Sequence, residues 1–393
     1  MSYSPKYSIT NQVLKNVGLI DSAREVITHA PLVPAWERDF RTQARAKIIH
    51  HGTHLEGNDL NLNEVEAVLG PGLDRKPEQS SSWDTEGGRP GPAGKDNVVA
   101  RDRDVREVIN YRSVMDYLDT LAASGLDTPG VKGAHTPGVL GHSPLPLTPQ
   151  ILKEIHSLTV TSLLPESESG HYRKVKVVIR NTKTQEITFR PPAPHEVPYF
   201  INQLFSWLNS REGQQVHPIL RSGILHYELV RIHPFVDGNG RAARAMALLL
   251  LFLEGYELKK FFALEEYYDT HPEEYYSALQ SVEDSGGDLT GWLEYFTLGI
   301  SIELNRVKIL VQKLSLDLHL KTTLGGRQLT LSERQIKLIE YIERYGQISM
   351  GNVRDLLPEV SEDTILRDLR DLVSKNLLIK KGSTKGTKYY LKN

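Results

Sequence analysis

The chain has 393 residues, of which 39% are hydrophobic and 24% are charged, as in ordinary globular proteins. This length is enough for two or three domains of about 100 to 200 residues each. The net charge of -2 excludes a nucleic-acid or membrane surface that extends over the whole chain, although the average can hide a basic module. Because the chain has no cysteine, it can form no disulfide or thiolate zinc site, and any metal must be bound by oxygen or imidazole.

No segment of the chain is predicted to enter a membrane. The N-terminal residues lack the apolar core of a signal peptide, and the most apolar run, residues 245–253, is too short to span a bilayer. We therefore expect a cytoplasmic protein that makes no membrane contact.

Residues 1–104 are predicted to form a helical N-terminal region. Apolar side chains recur at four-residue spacing from Trp36 through Phe40 and Ala44, and a second helical pattern covers residues 60–69. Residues from about 70 to 98 are instead rich in proline, glycine, serine and charge, which predicts a flexible insertion. A second stretch rich in glycine and proline covers residues 124–148.

Residues 105–320 are predicted to form a helical core that contains one β-hairpin. The hairpin covers residues 172–190, where two β-branched runs flank a polar turn. The helix at 241–254 is apolar nearly all round, which is typical of a buried central helix. The other helices of the core are expected at 105–122, 148–161, 197–209, 217–232, 272–282 and 287–319. The predicted fold class is therefore mainly α, with a separate α+β module at the C-terminus.

A loop rich in glycine and charge connects the helix that ends at residue 232 to the buried helix. The helix terminus at Gly238, Asn239 and Gly240 leaves backbone N–H groups unpaired, and such a terminus binds phosphate. The two glycines allow positive φ angles and a close approach of the backbone to a ligand. Arg241 and Arg244 add guanidinium groups that suit phosphate oxygens. The pattern predicts a cradle for a phosphorylated ligand.

Two further side chains of this loop carry groups that phosphoryl chemistry uses. Asp237 can hold Mg²⁺, because this ion is commonly bound by one or two carboxylates together with phosphate and water. His233 titrates near neutral pH and can accept the proton of an attacking hydroxyl. Each residue alone is more typical of a packed or solvated loop, but their combination predicts displacement at phosphorus.

Residues 233–244 resemble the signature of the Fic family, His-x-Phe-x-(Asp/Glu)-Gly-Asn-Gly-Arg-x-x-Arg, at every fixed position. A looser resemblance extends over residues 36–296. It implies a helical core that transfers AMP from ATP to a Tyr, Ser or Thr hydroxyl of a protein. Relatives that phosphorylate their target carry lysine where Gly240 stands, which argues against that branch. Transfer of UMP or phosphocholine is left open.

The resemblance also assigns roles to the residues of the loop. It implies that His233 is the general base and that Asp237 is the ligand of Mg²⁺. Arg244 would bind the γ-phosphate of ATP. The α- and β-phosphates would be bound by four residues, Gly238, Asn239, Gly240 and Arg241.

Two other segments resemble ligand-binding parts of the family. The hairpin resembles the flap, whose edge aligns the target segment by strand addition, so that Arg180, Thr188 and Phe189 would dock the target. The alternative is an ordinary structural hairpin. Tyr275 and Tyr276 resemble residues that flank the adenine, and packing in the core is the alternative for both.

Glu56, followed by glycine and asparagine, resembles the glutamate of the inhibitory helix in self-restrained Fic proteins, (Ser/Thr)-x-x-x-Glu-(Gly/Asn). The match departs at Gly52, where the motif has a hydroxyl, and Thr53 supplies one a position later. A Glu56 carboxylate paired with Arg244 would occupy the guanidinium meant for the γ-phosphate. An inhibitory helix is therefore expected at about residues 48–69. The alternative is that Thr53 and Glu56 form a capping box.

Three histidines precede Glu56 and raise the alternative of a metal cluster, namely His50, His51 and His54. Adjacent histidines on a helix diverge, and no carboxylate spacing supports such a site. We therefore expect no metal at this position.

Residues 328–393 are predicted to form a module similar to winged-helix domains, after a linker at 323–327. Helices are expected at 329–342, 348–357 and 361–373, followed by strands at 377–381 and 388–391 around a wing at 382–386. Residues 361–393 contain eight Lys or Arg and four Asp or Glu, so the module can bind double-stranded DNA. Against this, Asp363, Asp368 and Asp371 on the recognition helix would repel phosphate, and such modules also bind proteins.

Three classes of function were weighed. The first is an adenylyltransferase that uses ATP and Mg²⁺, modifies a protein target or itself, and is restrained by Glu56. The second is a nucleotide-sensing, DNA-binding regulator with little catalytic activity. The third is a scaffold, which would not need His233, Asp237 and both arginines together. A homodimer is expected because similar proteins are often dimeric.

Overall fold

The computed structural model describes ten stretches of the chain, which are residues 3–30, 34–70, 95–126, 146–180, 187–256, 261, 263–323, 331–375, 377–382 and 387–392. Within them the chain is mainly helical with two small antiparallel sheets, which confirms the predicted fold class. Backbone contacts divide the chain into a first unit of residues 1–29 and 34–308 and a second unit of residues 30–33 and 309–393. No helix of the described residues is long and apolar enough to cross a membrane.

The first unit begins with four helices, α1 (Asn11–His29), α2 (Pro34–His54), α3 (Leu62–Leu69) and α4 (Lys95–Leu126). Eight more follow: α5 (Pro149–Thr159), α6 (Val197–Leu208), α7 (Arg211–Gln215), α8 (Pro218–Ile232), α9 (Asn239–Leu253), α10 (Leu264–Thr270), α11 (Pro272–Asp284) and α12 (Thr290–Thr323). The strands β1 (Ile179–Arg180) and β2 (Ile187–Phe189) lie between α5 and α6.

Helices α8 and α9 form the centre of the first unit. Every residue of α9 except Gly240 is buried, which confirms the prediction of a buried central helix. Gly223 lets α12 approach α8 closely, because a β-carbon at this position would lie 2.9 Å from atoms of Leu293 and Phe296. Trp292 donates a hydrogen bond of 2.8 Å to the Gly223 carbonyl. This packing holds α12 against α8.

Helix α1 was not predicted from the sequence. Its buried side chains, Val13, Ile20, Ala23 and Ile27, follow the spacing of one helix face. Exposed Leu14 and Leu19 lie on the same helix and obscure this pattern. The short helices α7 and α10 were not predicted either.

The two predicted insertions are largely outside the described residues. Of the insertion at about 70–98, residues 71–94 are not described, and residues 95–98 belong to α4. Helix α4 therefore begins ten residues before the predicted helix at 105–122. Of the second stretch, 124–148, residues 127–145 lie outside the described residues.

The hairpin is shorter than the predicted 172–190. Strands β1 and β2 pair over two to three residues with an irregular register, and residues 181–186 are not described. The reason is visible at Arg173, whose backbone N–H donates to the Pro234 carbonyl at 2.9 Å and not to a hairpin partner. The first run of the predicted hairpin thus lies against the glycine-rich loop.

The second unit contains its own apolar core. Its elements after α12 are α13 (Glu333–Tyr345), β3 (Ile348–Ser349), α14 (Met350–Leu356), α15 (Glu362–Ser374), β4 (Leu378–Lys381) and β5 (Lys388–Leu391). The strands form an antiparallel sheet in the order β3, β5, β4. The helices and the last two strands lie where the sequence predicts them, while β3 was not predicted. Most of the linker at 323–327 and of the wing at 382–386 lies outside the described residues, and the winged-helix assignment stays a prediction.

Candidate active site

The loop between α8 and α9 begins at a residue in an unusual backbone conformation. His233 terminates α8 in the left-handed region, with a φ of 48°, and its N–H still donates to the Leu229 carbonyl at 3.0 Å. Within the described residues only one other non-glycine residue, Ser162, has a positive φ. Because a left-handed histidine is strained, the surrounding contacts must hold it in place.

Arg173 supplies most of these contacts. Its side chain is 3% exposed and lies over the C-terminus of α8, where carbonyl groups lack helical partners. Its Nε donates to the His233 carbonyl at 2.7 Å, and its Nη2 donates to the Pro192 carbonyl at 2.6 Å and the Ile232 carbonyl at 3.4 Å. One guanidinium therefore binds the end of α8 to the segment that follows the hairpin.

The middle of the loop is held by two more side chains. The Asn239 amide donates to the Phe235 carbonyl at 3.0 Å and accepts from the Phe235 N–H at 2.9 Å. His156 stacks on the Phe235 ring at a centroid distance of 3.7 Å. The His156 Nδ1 accepts from the Gly170 N–H at 3.0 Å, so its Nε2 carries the proton and donates to the Asp237 carbonyl at 3.0 Å. Burial lowers the pKa of His156 to about 4, so this ring stays neutral.

The His233 imidazole is poised to accept a proton. Its Nδ1 lies 3.3 Å from the Val230 carbonyl, which can only accept, so the proton is on Nδ1. The Nε2 atom then carries no proton, and its lone pair can accept one. Burial lowers the pKa of His233, with the Glu56 charge acting in the opposite direction. The neutral ring is therefore the main form near pH 7.

The N-terminus of α9 forms the predicted cradle. Gly238 precedes the helix with a φ of 73°, and no side chain caps the first N–H groups. A β-carbon on Gly238 would lie 3.0 Å from Val160, so both the conformation and the space favour glycine. Because Asn239 is used to hold the loop, only its backbone is available to a ligand. The unpaired N–H groups of a long helix are suited to an anion.

Both predicted arginines lie behind the cradle and are almost completely buried. The Arg244 Nη2 contacts the Glu56 carboxylate at 2.8 Å and donates to the Gly52 carbonyl at 2.9 Å. The Arg241 Nη1 lies 3.5 Å from Glu107, and its Nη2 lies 3.8 Å from Asp237. The side chains of Arg241 and Arg244 are both 2% exposed.

Glu56 lies over the cradle itself. A β-carbon built on Gly240 would be 2.1 Å from the Glu56 Oε1 and 3.0 Å from the Arg244 Nη1. The carboxylate therefore fills the space between the helix terminus and the arginine, which an anion would otherwise occupy. This arrangement is the pairing that the sequence predicts for Glu56 and Arg244.

The turn before Glu56 explains why position 52 carries glycine and not a hydroxyl residue. Gly52 packs on the buried Tyr111 ring, and a β-carbon at this position would lie 2.6 Å from Tyr111 Cε1. The Thr53 hydroxyl donates backward to the carbonyls of Ile49 and His50, at 2.9 and 3.0 Å. It does not cap a helix start, so the capping-box alternative does not describe this turn. The capping box is instead formed by Asn61, at the start of α3.

Asp237 is the acidic residue that directly precedes the cradle in the chain. Its side chain is 41% exposed, its Oδ1 accepts from the Gly238 N–H at 2.6 Å, and its Oδ2 lies 3.2 Å from Arg103. Across the described residues no three His, Cys, Asp or Glu side chains are grouped to hold a metal. A lone exposed carboxylate beside a phosphate site fits an ion that takes its other ligands from phosphate and water.

The histidines before Glu56 bind a carboxylate. The Nδ1 atoms of His51 and His54 each lie 2.7 Å from an oxygen of Asp269, and the His50 ring packs against both other rings. These contacts attach the end of α2 to α10.

Known proteins match the segment that contains this site. A model of the Fic/DOC family matches residues 146–251, which include α5 to α9 and the glycine-rich loop. The chain therefore contains a Fic domain. The protein adenylyltransferase Fic of Drosophila grimshawi is 32% identical to the chain over 112 residues, and that of Aedes aegypti is 34% identical over 110 residues. Each match covers 28% of this chain, but only 22% and 20% of the two relatives.

Solved structures resemble more of the chain than the Fic domain alone. A Fic family protein from Desulfovibrio desulfuricans has a TM-score of 0.55 at 21% identity and covers 99% of this chain and 98% of its own. Fic-1 from C. elegans has a TM-score of 0.53 at 23% identity and covers 77% of this chain and 73% of its own. At these identities the likeness establishes the helical Fic fold.

The residues predicted to bind adenine or to dock the target differ in how exposed their side chains are. Tyr275 is 2% exposed, and its hydroxyl lies 2.9 Å from His226 Nε2, so core packing describes this residue better than adenine contact. Tyr276 is 51% exposed, and its hydroxyl donates to the Leu55 carbonyl at 3.4 Å. On the hairpin, the side chain of Phe189 is partly exposed, while those of Arg180 and Thr188 are outside the described residues.

Four residues that shape the site were not found from the sequence, namely Arg103, Glu107, His156 and Arg173. Their partners in the loop are between 60 and 134 residues away, so no local spacing reveals them. A basic or acidic residue on a predicted helix face is more often solvated.

Proposed function

We propose that the chain is a protein adenylyltransferase that transfers AMP from ATP to a Tyr, Ser or Thr hydroxyl. The relatives that match the Fic domain are named for this activity. The observation that carries the proposal is the seating of an anion, the Glu56 carboxylate, between Gly240 and Arg244 beside a neutral histidine. A site that binds an anion at a helix terminus and offers a base is suited to nucleotide chemistry.

The proposed step is an in-line displacement at the α-phosphorus. The target hydroxyl oxygen bonds to this phosphorus while the bond from the phosphorus to the α,β-bridging oxygen breaks, and pyrophosphate leaves. The hydroxyl proton passes to Nε2 of His233. Arg241 and the backbone of residues 238–240 would bind the α- and β-phosphates, with Arg244 on the γ-phosphate. Asp237 would hold Mg²⁺, which neutralises phosphate charge when bound.

Glu56 would restrain this activity. ATP bound with its γ-phosphate at Arg244 needs the volume that the Glu56 carboxylate fills over Gly240. Two negative groups at one guanidinium repel each other, so ATP could bind only in a displaced pose. Activity therefore requires that the turn after α2 moves or that Glu56 is removed.

Target docking at the hairpin is part of the proposal. The hairpin ends beside the loop because Arg173 contacts both the Pro192 carbonyl and the His233 carbonyl. A target strand added along β1 and β2, near Arg180, Thr188 and Phe189, would lie near His233. Tyr276 is the exposed aromatic candidate for the adenine.

Labelled nucleotides test the proposal. The Glu56→Gly variant is incubated with ATP labelled at either the α- or the γ-phosphate, first alone for self-modification and then with cell lysate. Protein should retain the α-label and not the γ-label, and Glu56→Gly/His233→Ala should retain neither. Retention of the γ-label would indicate phosphorylation instead. Retention of label from UTP but not from ATP would overturn ATP as the donor.

DNA binding by the second unit is a second candidate function. The acidic residues expected to repel phosphate are partly neutralised, because Asp368 lies 2.8 Å from Arg334 and Asp371 lies 2.5 Å from Lys375. Arg367 and other basic side chains remain exposed, namely Arg370, Lys380, Lys381 and Lys388. A duplex shift by the full chain that weakens with salt and is lost in Arg367→Gln/Arg370→Gln would support this function. No shift at low salt would reject it.

A further inference from the structure

A buried carboxylate of α4 lies behind the phosphate cradle. Glu107 has a side chain that is 7% exposed, and three groups converge on it. Its Oε1 lies 3.2 Å from the Arg103 Nε and 3.5 Å from the Arg241 Nη1, and its Oε2 accepts from the Asn58 amide at 3.1 Å. A carboxylate so far from water requires such partners, because an uncompensated buried charge is costly.

The contact between Glu107 and Arg241 leaves donors of the arginine without a hydrogen bond. At 3.5 Å it is an ion pair without a hydrogen bond, and within the described residues neither Nε nor Nη1 of Arg241 has a hydrogen-bond partner. The side chain of Arg241 is only 2% exposed. Glu107 therefore holds the charge of this guanidinium in place while leaving donors available to phosphate oxygens.

The same carboxylate contacts the turn that carries Glu56. Asn58 follows Glu56 by two residues and is 1% exposed. Its amide donates to Glu107 and to the Asp104 carbonyl at 3.0 Å, and its Oδ1 accepts from the Leu60 N–H at 3.1 Å. Its amide NH2 group thus attaches the turn to α4 through two hydrogen bonds.

We propose that Glu107 is a positioning residue, which holds Arg241 at the cradle and is itself held by Asn58. This inference rests on the proposed function, because it assigns Arg241 to nucleotide phosphates. Without this carboxylate the long arginine side chain would lose the nearer and more buried of its two acidic partners, Asp237 being the other at 3.8 Å. Phosphate binding would then weaken while the fold persists.

Calorimetric titration of ATP in the presence of Mg²⁺ tests the inference in the Glu56→Gly background. Glu107→Gln should raise the Kd for ATP by about tenfold, the lower end of what orienting partners contribute at metal sites. Asn58→Ala should raise it by a smaller factor, about threefold. In Glu56→Gly/Arg241→Gln, adding Glu107→Gln should change the Kd by less than about twofold, because the arginine that it positions is absent.

A matched control separates positioning from a loss of structure. Glu254→Gln removes the carboxylate from another buried arginine pair, with Arg221, and should leave ATP affinity unchanged. An unchanged Kd in Glu107→Gln, or an equal loss with and without Arg241, would overturn the inference. If Glu56→Gly bound no ATP, that result would contradict the proposed function as well as this inference.

Discussion

His233 combines a strained backbone with a neutral side chain. The left-handed conformation directs the chain from the end of α8 into the cradle, and contacts from Arg173 offset its strain. Burial keeps the ring uncharged, which a general base requires. Both properties come from residues outside the motif, so the motif alone does not account for them.

The pKa of His233 gives a prediction for the pH dependence. Burial lowers this pKa below the ordinary value of 6.5, and Glu56 acts to raise it. The base works only when neutral, so activity should be lost as the pH falls through the lowered pKa. Removing Glu56 lowers the pKa further. With ATP well below its KM, where the rate reports the free enzyme, the acid limb of the rate profile of Glu56→Gly should therefore have its midpoint below 6.5, and a midpoint above that value contradicts this prediction.

Arg173 gives a second prediction at the scale of single residues. Arg173→Lys keeps the charge but loses the fork that binds four carbonyls, so the variant should be less stable by about 2–3 kcal/mol in urea unfolding. Displacement of His233 should lower kcat on the order of a hundredfold in the Glu56→Gly background. Arg221→Lys, at a buried pair outside the loop, serves as the control. Equal losses of kcat in both variants would show that Arg173 does not position His233.

The sequence reveals the residues of the loop better than the residues that contact the loop from other helices. Residues 233–244 can be interpreted because the helix start, its glycines and its charged side chains lie within twelve consecutive positions. The pairing of Glu56 with Arg244 was predictable only through the family resemblance, since 188 positions separate them. Glu107 and His156 belong to no such pattern. Their buried contacts with the site form only when the helices pack, so the local sequence does not indicate them.

At the scale of elements, the packing of α2 on α4 sets the position of Glu56. The contact at Gly52 leaves no space for a side chain against Tyr111, and the Gly52 carbonyl itself binds Arg244. The last turn of α2, which leads to Glu56, is thus held against α4 by a close approach of the two helices. A residue that separates the helices should release Glu56.

Gly52→Ala tests this coupling of packing to inhibition. The added methyl should destabilise the chain by about 1–3 kcal/mol through overpacking, and it should also raise self-labelling with α-labelled ATP above the wild-type rate. Gly18→Ala is the control, because nothing lies within 4 Å of that position in the exposed part of α1. The free energy of unfolding of that variant should rise by about 0.5–1 kcal/mol, and its rate of self-labelling should equal that of the wild type. Lower labelling in Gly52→Ala would contradict the coupling.

Long elements were easier to predict than short ones. Periodic apolar spacing located α8 and α9 to within a few residues, because a buried helix needs a continuous apolar pattern. The hairpin was overestimated, since β-branched residues at 175–178 also fit an extended segment bound to a loop. Helix α10 was missed because seven residues are too few for a period to stand out.

Among the described residues, each of the two units buries apolar side chains of its own. The second unit buries its own set of side chains, including Leu338, Ile339, Leu369 and Leu372. Units with separate cores can unfold in separate steps. Differential scanning calorimetry of the full chain should therefore show two transitions.

ATP should affect only one of these transitions. In the Glu56→Gly variant, ATP at about 100 times its Kd should stabilise the first unit by about 2.7 kcal/mol and leave the other transition unmoved. The same experiment with Glu56→Gly/Arg244→Ala provides the control for binding at the cradle. A single transition, or a shift of both, would contradict independent units.

The central claim is that His233 performs the transfer and that Glu56 restrains it. The most direct measurement compares incorporation of α-labelled AMP into the wild type, Glu56→Gly and Glu56→Gly/His233→Ala under identical conditions. A charge-assisted contact of about 1.5–3 kcal/mol corresponds to about ten- to a hundredfold in rate, so Glu56→Gly should exceed the wild type by this factor. The double variant should return to background. Equal labelling of the wild type and Glu56→Gly, or labelling that survives the loss of His233, would contradict the account.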